Sequence, residues 1–376
     1  MKKVVIAIDS FKGCLSSAEA GKAAAEGIRS VFPECEILSL PIADGGEGML
    51  DVLIAATNGR EVQLSAHNPL MEWHDTYYGI SEDEKTAFIE MASISGLPLV
   101  PPEKRNPMLT TSYGTGELIR DALERGCRNF IIGIGGSATN DAGLGMLQAL
   151  GFRFLDKEGK ILETGNGKIL MEVVSIDTDF IHPDLRTSHF TVACDVQNPF
   201  CGPEGAAYIF APQKGADRKM VETLDAGMRS LAEVIFHTTG KDISNHPGAG
   251  AAGGMGGSLL AFLNAELKPG IQLMLETLDF PAQIKGADFI ITGEGKADKQ
   301  TLMGKVPSGI LDKASKQKIP VILIAGSVED EDDLYRAGFR GVYSINPPSI
   351  TLEQAMQPEV ARANISKTVA QICRSL

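Results

Sequence analysis

Apolar segments that run directly into an acidic residue mark both ends of this chain. Residues 4–8 form one such segment and stop at Asp9, and residues 36–42 form a second that leads into Asp44. Short apolar runs of this kind are typical of buried parallel strands. Three further apolar segments lie near the C-terminus, at residues 289–292, 320–325 and 341–345. The pattern predicts one five-stranded parallel sheet built from both ends of the chain.

The predicted fold is α/β: a flavodoxin-like parallel-sheet domain interrupted by a second, inserted α/β domain. Because 376 residues exceed what one core usually covers, two domains are favoured. We expect residues 1–64 plus 286–376 in the flavodoxin-like domain and residues 65–285 in the inserted domain. Ligands of open parallel sheets bind at the carboxyl ends of the strands. The loops at Asp9, Asp44 and Glu294 are therefore predicted to face a ligand, in a cleft between the two domains.

The composition argues against several classes of partner. The formal net charge is −13 and no dense run of Lys or Arg occurs, so no nucleic-acid partner is predicted. No apolar run approaches the roughly 18 residues of a membrane span, so no membrane partner is predicted. The six cysteines show no C-x-x-C spacing, which predicts reduced thiols in a cytoplasmic protein. The sequence leaves open whether the chain forms a homo-oligomer.

Glycine is concentrated in four loops that also carry acids or other polar groups. Glycine accounts for 41 of 376 residues, where an average protein has about 7%. The four loops are Asp44-Gly45-Gly46-Glu47-Gly48, Gly135 to Asp141, Gly248 to Gly254, and Gly293-Glu294-Gly295-Lys296 with Asp298. Glycine lets backbone N–H groups face a ligand, and the charged side chains add a handle for metal or phosphate. The loops predict a phosphate-handling enzyme.

The segment from Gly133 to Ala138 permits more than one interpretation. It fits G-x-G-x-x-A, and Asp156 follows about 20 residues later, as in a dinucleotide fingerprint. An NAD-dependent oxidoreductase is therefore an alternative function. The segment also fits an anion-binding turn with Ser137, Thr139 and Asn140 as donors, or a purely structural turn. Gly248 to Gly253 fits G-x-G-x-x-G without a preceding strand, and either phosphate binding or close packing of a helix would explain it.

Three further positions carry candidate chemistry. Asp195 ends an apolar segment, where its carboxylate can take a hydroxyl proton or hold a metal, or can simply form a turn. Lys214 is predicted to be exposed after a strand, either binding a phosphate or merely solvated. Asp9-Ser10-Phe11-Lys12 places an acid, a hydroxyl and a base in one loop.

Together these motifs resemble the type I glycerate kinase family. Seven motifs carry the resemblance: Asp9 to Lys12, Ala43 to Gly48, Gly135 to Asp141, Cys194 to Pro199, Pro212 to Ala216, Pro247 to Gly254, and Thr292 to Gln300. The resemblance implies ATP-dependent phosphorylation of D-glycerate, usually to 2-phosphoglycerate, with 3-phosphoglycerate left open as the product. Lys296 departs from the Arg that members often carry, which predicts a weaker phosphate contact.

The predicted site has four parts. Asp195 and Lys12 are assigned to catalysis, and Asp298 and Glu294 to Mg²⁺. Substrate binding is assigned to Asp9, Ser10, Asp44, Gly45, Gly46, Gly136, Ser137 and Asn140. Binding of ATP is assigned to Lys214, Gly250, Gly253, Gly254, Gly293, Glu294, Gly295 and Lys296. A non-catalytic sensor of a sugar acid or nucleotide is a third interpretation, although it explains the many acids poorly.

Overall fold

The computed structural model describes residues 1–46 and 48–376, so Glu47 of the first glycine loop lies outside the described residues. The strands are β1 (Lys3–Ile8), β2 (Glu36–Ser39), β3 (Arg60–His67), β4 (Trp73–Ile80), β5 (Thr86–Glu90), β6 (Asn129–Gly133), β7 (Arg153–Leu155), β8 (Ser175–Asp177), β9 (His189–Ala193), β10 (Glu266–Lys268), β11 (Phe289–Ala297), β12 (Val321–Val328) and β13 (Gly341–Ser344).

Helices connect these strands. The α-helices are α1 (Ser17–Arg29), α2 (Met49–Ala56), α3 (Ala92–Ser95), α4 (Tyr113–Glu124), α5 (Leu144–Ala149), α6 (Ala206–Phe210), α7 (Arg218–Thr239), α8 (Met255–Phe262), α9 (Gly270–Thr277), α10 (Phe280–Gln283), α11 (Val306–Lys316), α12 (Glu331–Ala337), α13 (Leu352–Ala355) and α14 (Pro358–Ser375). Short 3₁₀ helices cover Leu97–Leu99, Pro102–Lys104, Gly167–Met171, Pro183–Thr187, Pro212–Lys214, Ala251–Gly254 and Lys299–Leu302.

The chain divides into two compact units. The first unit combines Met1–Asp44 with Ile271–Leu376, and the second is Gly45–Gly270. The sequence instead predicted divisions after residues 64 and 285. Residues 45–64 belong to the second unit because α2 packs on β4, where a Cβ on Gly79 would lie 2.5 Å from Cγ1 of Ile54, and because β3 pairs along its length with β4. Helix α9 belongs mostly to the first unit, where a Cβ placed on Gly309 of α11 would lie 2.4 Å from Cγ1 of Ile271.

The first unit contains a five-stranded sheet in the order β13-β12-β11-β1-β2. All four of its strand pairs are parallel. Numbered within the unit, the order is 5-4-3-1-2, which is the flavodoxin-like arrangement. The predicted fold is therefore confirmed. The strand order reverses between β1 and β11, and open sheets of this kind bind ligands at such a reversal.

The core of the first unit depends on the tight pairing of α1 with α14. Helix α1 begins with a capping box, in which Ser16 and Glu19 satisfy each other's backbone N–H groups. Its inner face is rich in Ala and Gly, so α14 can approach closely. A Cβ on Gly27 would lie 2.4 Å from the carbonyl oxygen of Ser366. Val4 to Ile8 of β1 are buried in this unit.

The second unit contains a six-stranded sheet in the order β10-β9-β6-β5-β4-β3. The pairs from β10 to β5 are parallel, whereas β5, β4 and β3 pair antiparallel. Phe130 of β6 stacks on Phe190 of β9 with ring centroids 4.6 Å apart. Strands β7 and β8 form a separate antiparallel ribbon. The carboxyl ends of β6 and β9 therefore lie side by side in this sheet.

The sequence predicted no membrane-spanning segment and reduced cysteines. Among the described residues, no helix combines the length and the apolar character that a membrane crossing requires. All six cysteines are free thiols, and four of them are buried. A cytoplasmic location stays a prediction, and the oligomeric state stays open.

Candidate functional site

Two buried acids lie where the first sheet reverses its strand order. The backbone N–H of Asp9, just after β1, donates to the carbonyl of Gly293 in β11 at 2.9 Å. This bond extends the register that pairs Ile8 with Gly293, and it brings Asp9 next to Glu294. Their exposures are only 6% and 5%. The parallel pairing of β1 and β11 therefore places two carboxyl groups together at the expected ligand position.

The surroundings of Asp9 disfavour the ionised form of its carboxyl group. Burial, the negative charge of Asp44 and that of Glu294 raise the pKa of Asp9 to about 7, although the Ser10 N–H and Lys12 act against the rise. The Ser10 N–H donates to Asp9 Oδ1 at 2.7 Å. The Lys12 ammonium lies 3.7 Å from Asp44 Oδ2 but is mostly exposed, so this ion pair contributes little. A bound cation would relieve the repulsion between these acids.

Glu294 is held by two residues that the sequence assignment missed. The Thr301 hydroxyl donates to Glu294 Oε1 at 2.6 Å, and Lys305 Nζ lies 3.4 Å from Oε2. Burial raises the pKa of Glu294, and both contacts oppose the rise. Thr301 directly follows the motif Thr292 to Gln300 and could have been suspected from it. Lys305 lies directly before α11, and the turn between β11 and α11 brings its side chain to Glu294.

Lys296 and Asp298 form a more exposed pair. Asp298 caps the 3₁₀ helix Lys299–Leu302 by accepting from the Gln300 N–H at 2.8 Å. Lys296 Nζ lies 3.5 Å from Asp298 Oδ2 and 2.9 Å from Glu329 Oε2. Desolvation acts to raise the pKa of Asp298, but the Gln300 N–H and the nearby lysines outweigh it and lower the pKa. The predicted phosphate ligand Lys296 therefore already interacts with two acids.

The donors in the first unit fit a partial Mg²⁺ site. Among the described residues, no three His, Cys, Asp or Glu side chains are arranged to hold a metal ion. Magnesium usually takes only one or two carboxylates and completes its shell with water and substrate phosphates. Glu294 and Asp298 can supply these carboxylates, and the buried Asp9 adds a further acid beside Glu294.

Asp195 and Gly45 lie together in the second unit. Asp195 follows β9 and is exposed, and its Oδ1 accepts from the Gly270 N–H at 2.9 Å. Gly45 has a φ of +90°, and a Cβ there would lie 2.7 Å from Gly270 Cα and 3.6 Å from Asp195 Oδ2. The next residue, Gly46, is half-buried. The chain therefore brings a carboxylate and a predicted substrate-binding glycine to one point.

Lys214 does not lie where the sequence predicted. It belongs to the 3₁₀ helix Pro212–Lys214 after helix α6, rather than to a turn after a strand, and it is 2% exposed. Its ammonium donates to Ser137 Oγ at 2.7 Å and to the Thr139 carbonyl at 2.6 Å. An exposed phosphate ligand is therefore the wrong interpretation of Lys214, because the structure directs its charge into the protein.

The segment around Ser137 is also buried more deeply than expected. Asn140 is fully buried, its Oδ1 has no partner, and its Nδ2 lies 3.3 Å from Met228 Sδ. Asp141 accepts from the Ser112 N–H and hydroxyl and from the N–H groups of Gly143 and Gly145. These bonds tie together the starts of α4 and α5. The Asn140 side chain is therefore buried, and its contact with the substrate stays a prediction.

Exposure in this segment is confined to its first turn. Gly135 and Gly136 are exposed, whereas the residues from Ser137 to Asp141 are buried. Gly136 has a φ of +72°, which favours glycine. Of the predicted substrate-binding residues in the segment, only Gly136 therefore presents itself to solvent.

The dinucleotide interpretation lacks its structural context. A dinucleotide fingerprint needs a helix that opens at the glycines and an acid at the end of the neighbouring parallel strand. Here α5 begins only at Leu144. Asp156 follows β7, which pairs with β8 in the separate ribbon rather than with β6. Asp156 instead accepts from the N–H groups of Glu158 and Lys160.

The glycines from Gly250 to Gly254 serve packing. A Cβ on Gly250 would lie 2.2 Å from the Pro199 carbonyl oxygen, and one on Gly253 would lie 2.1 Å from that of Thr139. The Gly250 N–H donates to the Asn198 carbonyl at 3.0 Å. Gly254 is buried with a φ of +93°. Gly250 and Gly253 therefore serve close packing, whereas contact of these three glycines with ATP phosphates stays a prediction.

The fold and the site together define an α/β protein whose acids and glycine turns lie at the carboxyl ends of parallel strands. The glycerate kinase family model matches residues 4–376, and the chain belongs to that family. The predicted resemblance is confirmed.

Similar proteins cover nearly the whole chain. Glycerate kinase of Haemophilus influenzae is 48% identical over 98% of this chain and 99% of the relative. Glycerate 2-kinase of Escherichia coli is 47% identical over 98% of each chain. A crystal structure described as a putative glycerate kinase 2 from Salmonella typhimurium superposes with a TM-score of 0.90 and is 44% identical in sequence. The match covers 100% of this chain and 98% of the chain in that structure.

Replacing Asp9 by Asn should stabilise the protein at alkaline pH. The folded pKa of about 7 exceeds the ordinary value of 3.8, so the contribution of Asp9 is favourable below pH 3.8 and is lost as pH rises through 7. Asn keeps an oxygen for the Ser10 N–H. We expect Asp9→Asn to be more stable at pH 8, by up to about 4 kcal/mol, with the difference vanishing near pH 4. Thermal melting across this range measures it.

The control for this prediction is Glu26→Gln, which alters an exposed acid on α1 of the same unit. Its effect on the melting temperature should be small and should not grow with pH. A difference between wild type and Asp9→Asn that stays constant from pH 4 to pH 8 would contradict the predicted burial cost.

Two glycines of β11 should respond differently to alanine. A Cβ on Gly293 would lie 2.4 Å from the Ile324 carbonyl oxygen, whereas one on Gly295 would meet nothing within 4 Å. We expect Gly293→Ala to lose about 1–3 kcal/mol of folding stability and Gly295→Ala to stay within about 0.5 kcal/mol. Chemical denaturation measures both. Equal stabilities of the two variants would show that β12 does not constrain Gly293.

Proposed function

We propose that the protein transfers the γ-phosphoryl group of ATP to the 2-hydroxyl of D-glycerate and releases 2-phosphoglycerate. Membership of the glycerate kinase family and the similarity to a glycerate 2-kinase support this activity. The structural observation that carries the proposal is the pair of buried acids, Asp9 and Glu294, at the reversal of strand order. Phosphoryl transfer depends on positioning and on neutralising charge, and acids that recruit a cation serve both.

The first unit would hold the phosphates and the metal. Gly295 is exposed with open space beside it, so its backbone can approach a phosphate closely. Glu294 would hold Mg²⁺ with Asp298, while Thr301 and Lys305 keep the Glu294 carboxylate oriented. When bound, Mg²⁺ would neutralise phosphate charge. Lys296 would have to exchange one of its acidic partners for a phosphate oxygen.

Further groups of the first unit suit an anionic substrate. Lys12 is largely exposed and Ser10 is half-buried beside Asp9. We assign the carboxylate of D-glycerate to Lys12, because its exposed ammonium lies close to the strand ends and is accessible to an anion. Asp44 lies 3.7 Å from Lys12 and would keep this ammonium close to the strand ends.

The second unit would supply the base. The Gly270 N–H fixes one oxygen of Asp195, which restricts the rotation of the whole carboxylate. We assign Asp195 to orienting the attacking hydroxyl and accepting its proton. The exposed turn of Gly135 and Gly136 would donate backbone N–H groups to the substrate.

The activity can be tested directly with purified protein, Mg²⁺-ATP and D-glycerate. We expect ADP release that requires glycerate and ceases when a chelator removes Mg²⁺. Phosphorus NMR separates the two phosphoglycerates, and 2-phosphoglycerate should be the product. Exclusive formation of 3-phosphoglycerate would overturn the assigned hydroxyl, and ADP release independent of glycerate would overturn the assigned substrate.

Replacing Asp195 by Asn tests the proposed base. Asn keeps an oxygen for the Gly270 N–H but cannot accept a proton, so we expect kcat to fall about 100-fold or more in a folded variant. Asp156→Asn is the matched control, because Asp156 also follows a strand of the second unit and keeps its turn as Asn. Near-normal kcat in Asp195→Asn would remove Asp195 from proton transfer.

A further inference from the structure

Lys214 is the only buried basic side chain in the part of the chain that the structure describes. Removing an ammonium from water costs several kcal/mol unless strong partners replace the water. Its two hydrogen-bond acceptors are neutral oxygens, Ser137 Oγ and the Thr139 carbonyl. Burial lowers the pKa of Lys214 to about 7, although Asp141 opposes the change. Burying the Lys214 ammonium is therefore unfavourable, and packing alone does not explain why a lysine stands at this position.

The acceptors of Lys214 lie where three separate motifs meet. The Thr139 carbonyl packs directly against Gly253, where there is no room for a Cβ. The Ala142 N–H also donates to the Gly253 carbonyl at 3.0 Å. Lys214 thus joins the segment from Ser137 to Asp141 to the tightly packed glycines near Gly253.

The turn of Gly135 and Gly136, which follows β6, is also anchored by α3 and by the 3₁₀ helix after it. The Ala138 N–H donates to the Ser95 carbonyl at 2.9 Å, and the Gly136 carbonyl accepts from the Leu97 N–H at 2.9 Å. Only Gly135 and Gly136 remain exposed, and a Cβ on Gly135 would meet nothing within 4 Å. A short exposed backbone turn is therefore fixed by bonds to buried neighbours.

We propose that Lys214 is a positioning residue for D-glycerate, which clamps Ser137 and Thr139 so that the Gly135–Gly136 turn keeps the shape that binds the substrate. This inference rests on the proposed function. Lys214 itself does not touch the substrate, because its ammonium is turned inward onto the two acceptors. Loss of the clamp should therefore weaken glycerate binding more than it weakens ATP binding or turnover.

The test compares Lys214→Met with Lys241→Met. The Lys214→Met substitution removes the ammonium donors and keeps most of the side-chain length. Lys241 offers a matched control in the same unit, since it also bonds a carbonyl, that of Leu260 at 2.8 Å, and a side-chain oxygen, that of Asn264. We expect Lys214→Met to raise KM for D-glycerate about tenfold, with kcat and KM for ATP within about twofold. Lys241→Met should leave both KM values unchanged.

Several outcomes would decide against this role. A folded Lys214→Met variant with normal KM for D-glycerate, or with equal increases in both KM values, would overturn it. If Lys214→Met does not fold, Ser137→Ala removes one acceptor instead and should raise KM for D-glycerate by a few-fold; an unchanged value would overturn the inference. Wild-type protein that shows no turnover with D-glycerate would instead overturn the proposed function, and the inference with it.

Discussion

The parallel pairing of β1 with β11 is the contact on which the site in the first unit depends. These strands lie far apart in the chain, yet their register sets Ile8 against Gly293 and thereby Asp9 beside Glu294. Gly293 has no room for a side chain, so the pairing stays close at the point where the acids emerge. Burial of Asp9, together with the negative charges of Asp44 and Glu294, costs folding stability. That cost is the physical reason to expect a cation there.

Buried charge organises the second unit in a different way. Asp141 is surrounded by four donors that belong to the starts of α4 and α5, so its burial stabilises local structure. Lys214 bonds only neutral oxygens, and the charge of Asp141 offsets its burial only in part. The four donors give the burial of Asp141 a role in folding, although burial still raises its pKa. Lys214 has no comparable set of bonds, and we infer that its geometry serves the neighbouring turn.

The sequence identified the acids at the carboxyl-terminal parts of the strands but placed some strand ends wrongly, since β11 continues through Glu294 to Ala297, and it predicted the interior poorly. Asp9, Asp44 and Glu294 could be found because an apolar run followed by an acid is a local pattern, and parallel strands bring such ends to one edge. The burial of Lys214 and Asn140 could not be found, because it depends on contacts with segments far away in the chain. The unit boundary was wrong for a similar reason, since β3 belongs with β4 only through pairing. Thr301 and Lys305 act on Glu294 through a turn whose shape the sequence does not reveal.

Exposure separates the glycines that can meet a ligand from those that cannot. Gly295 and Gly135 are exposed and have open space beside their Cα atoms, whereas Gly250 and Gly253 lie within contact of backbone oxygens. The same residue type therefore serves two purposes in loops of similar sequence. The packed glycines let the second unit's segments approach closely enough for Lys214 to reach two acceptors in the Ser137 segment. Rigid packing beneath a small exposed turn is what precise orientation of a small anion requires, because little binding energy is available to order a mobile loop.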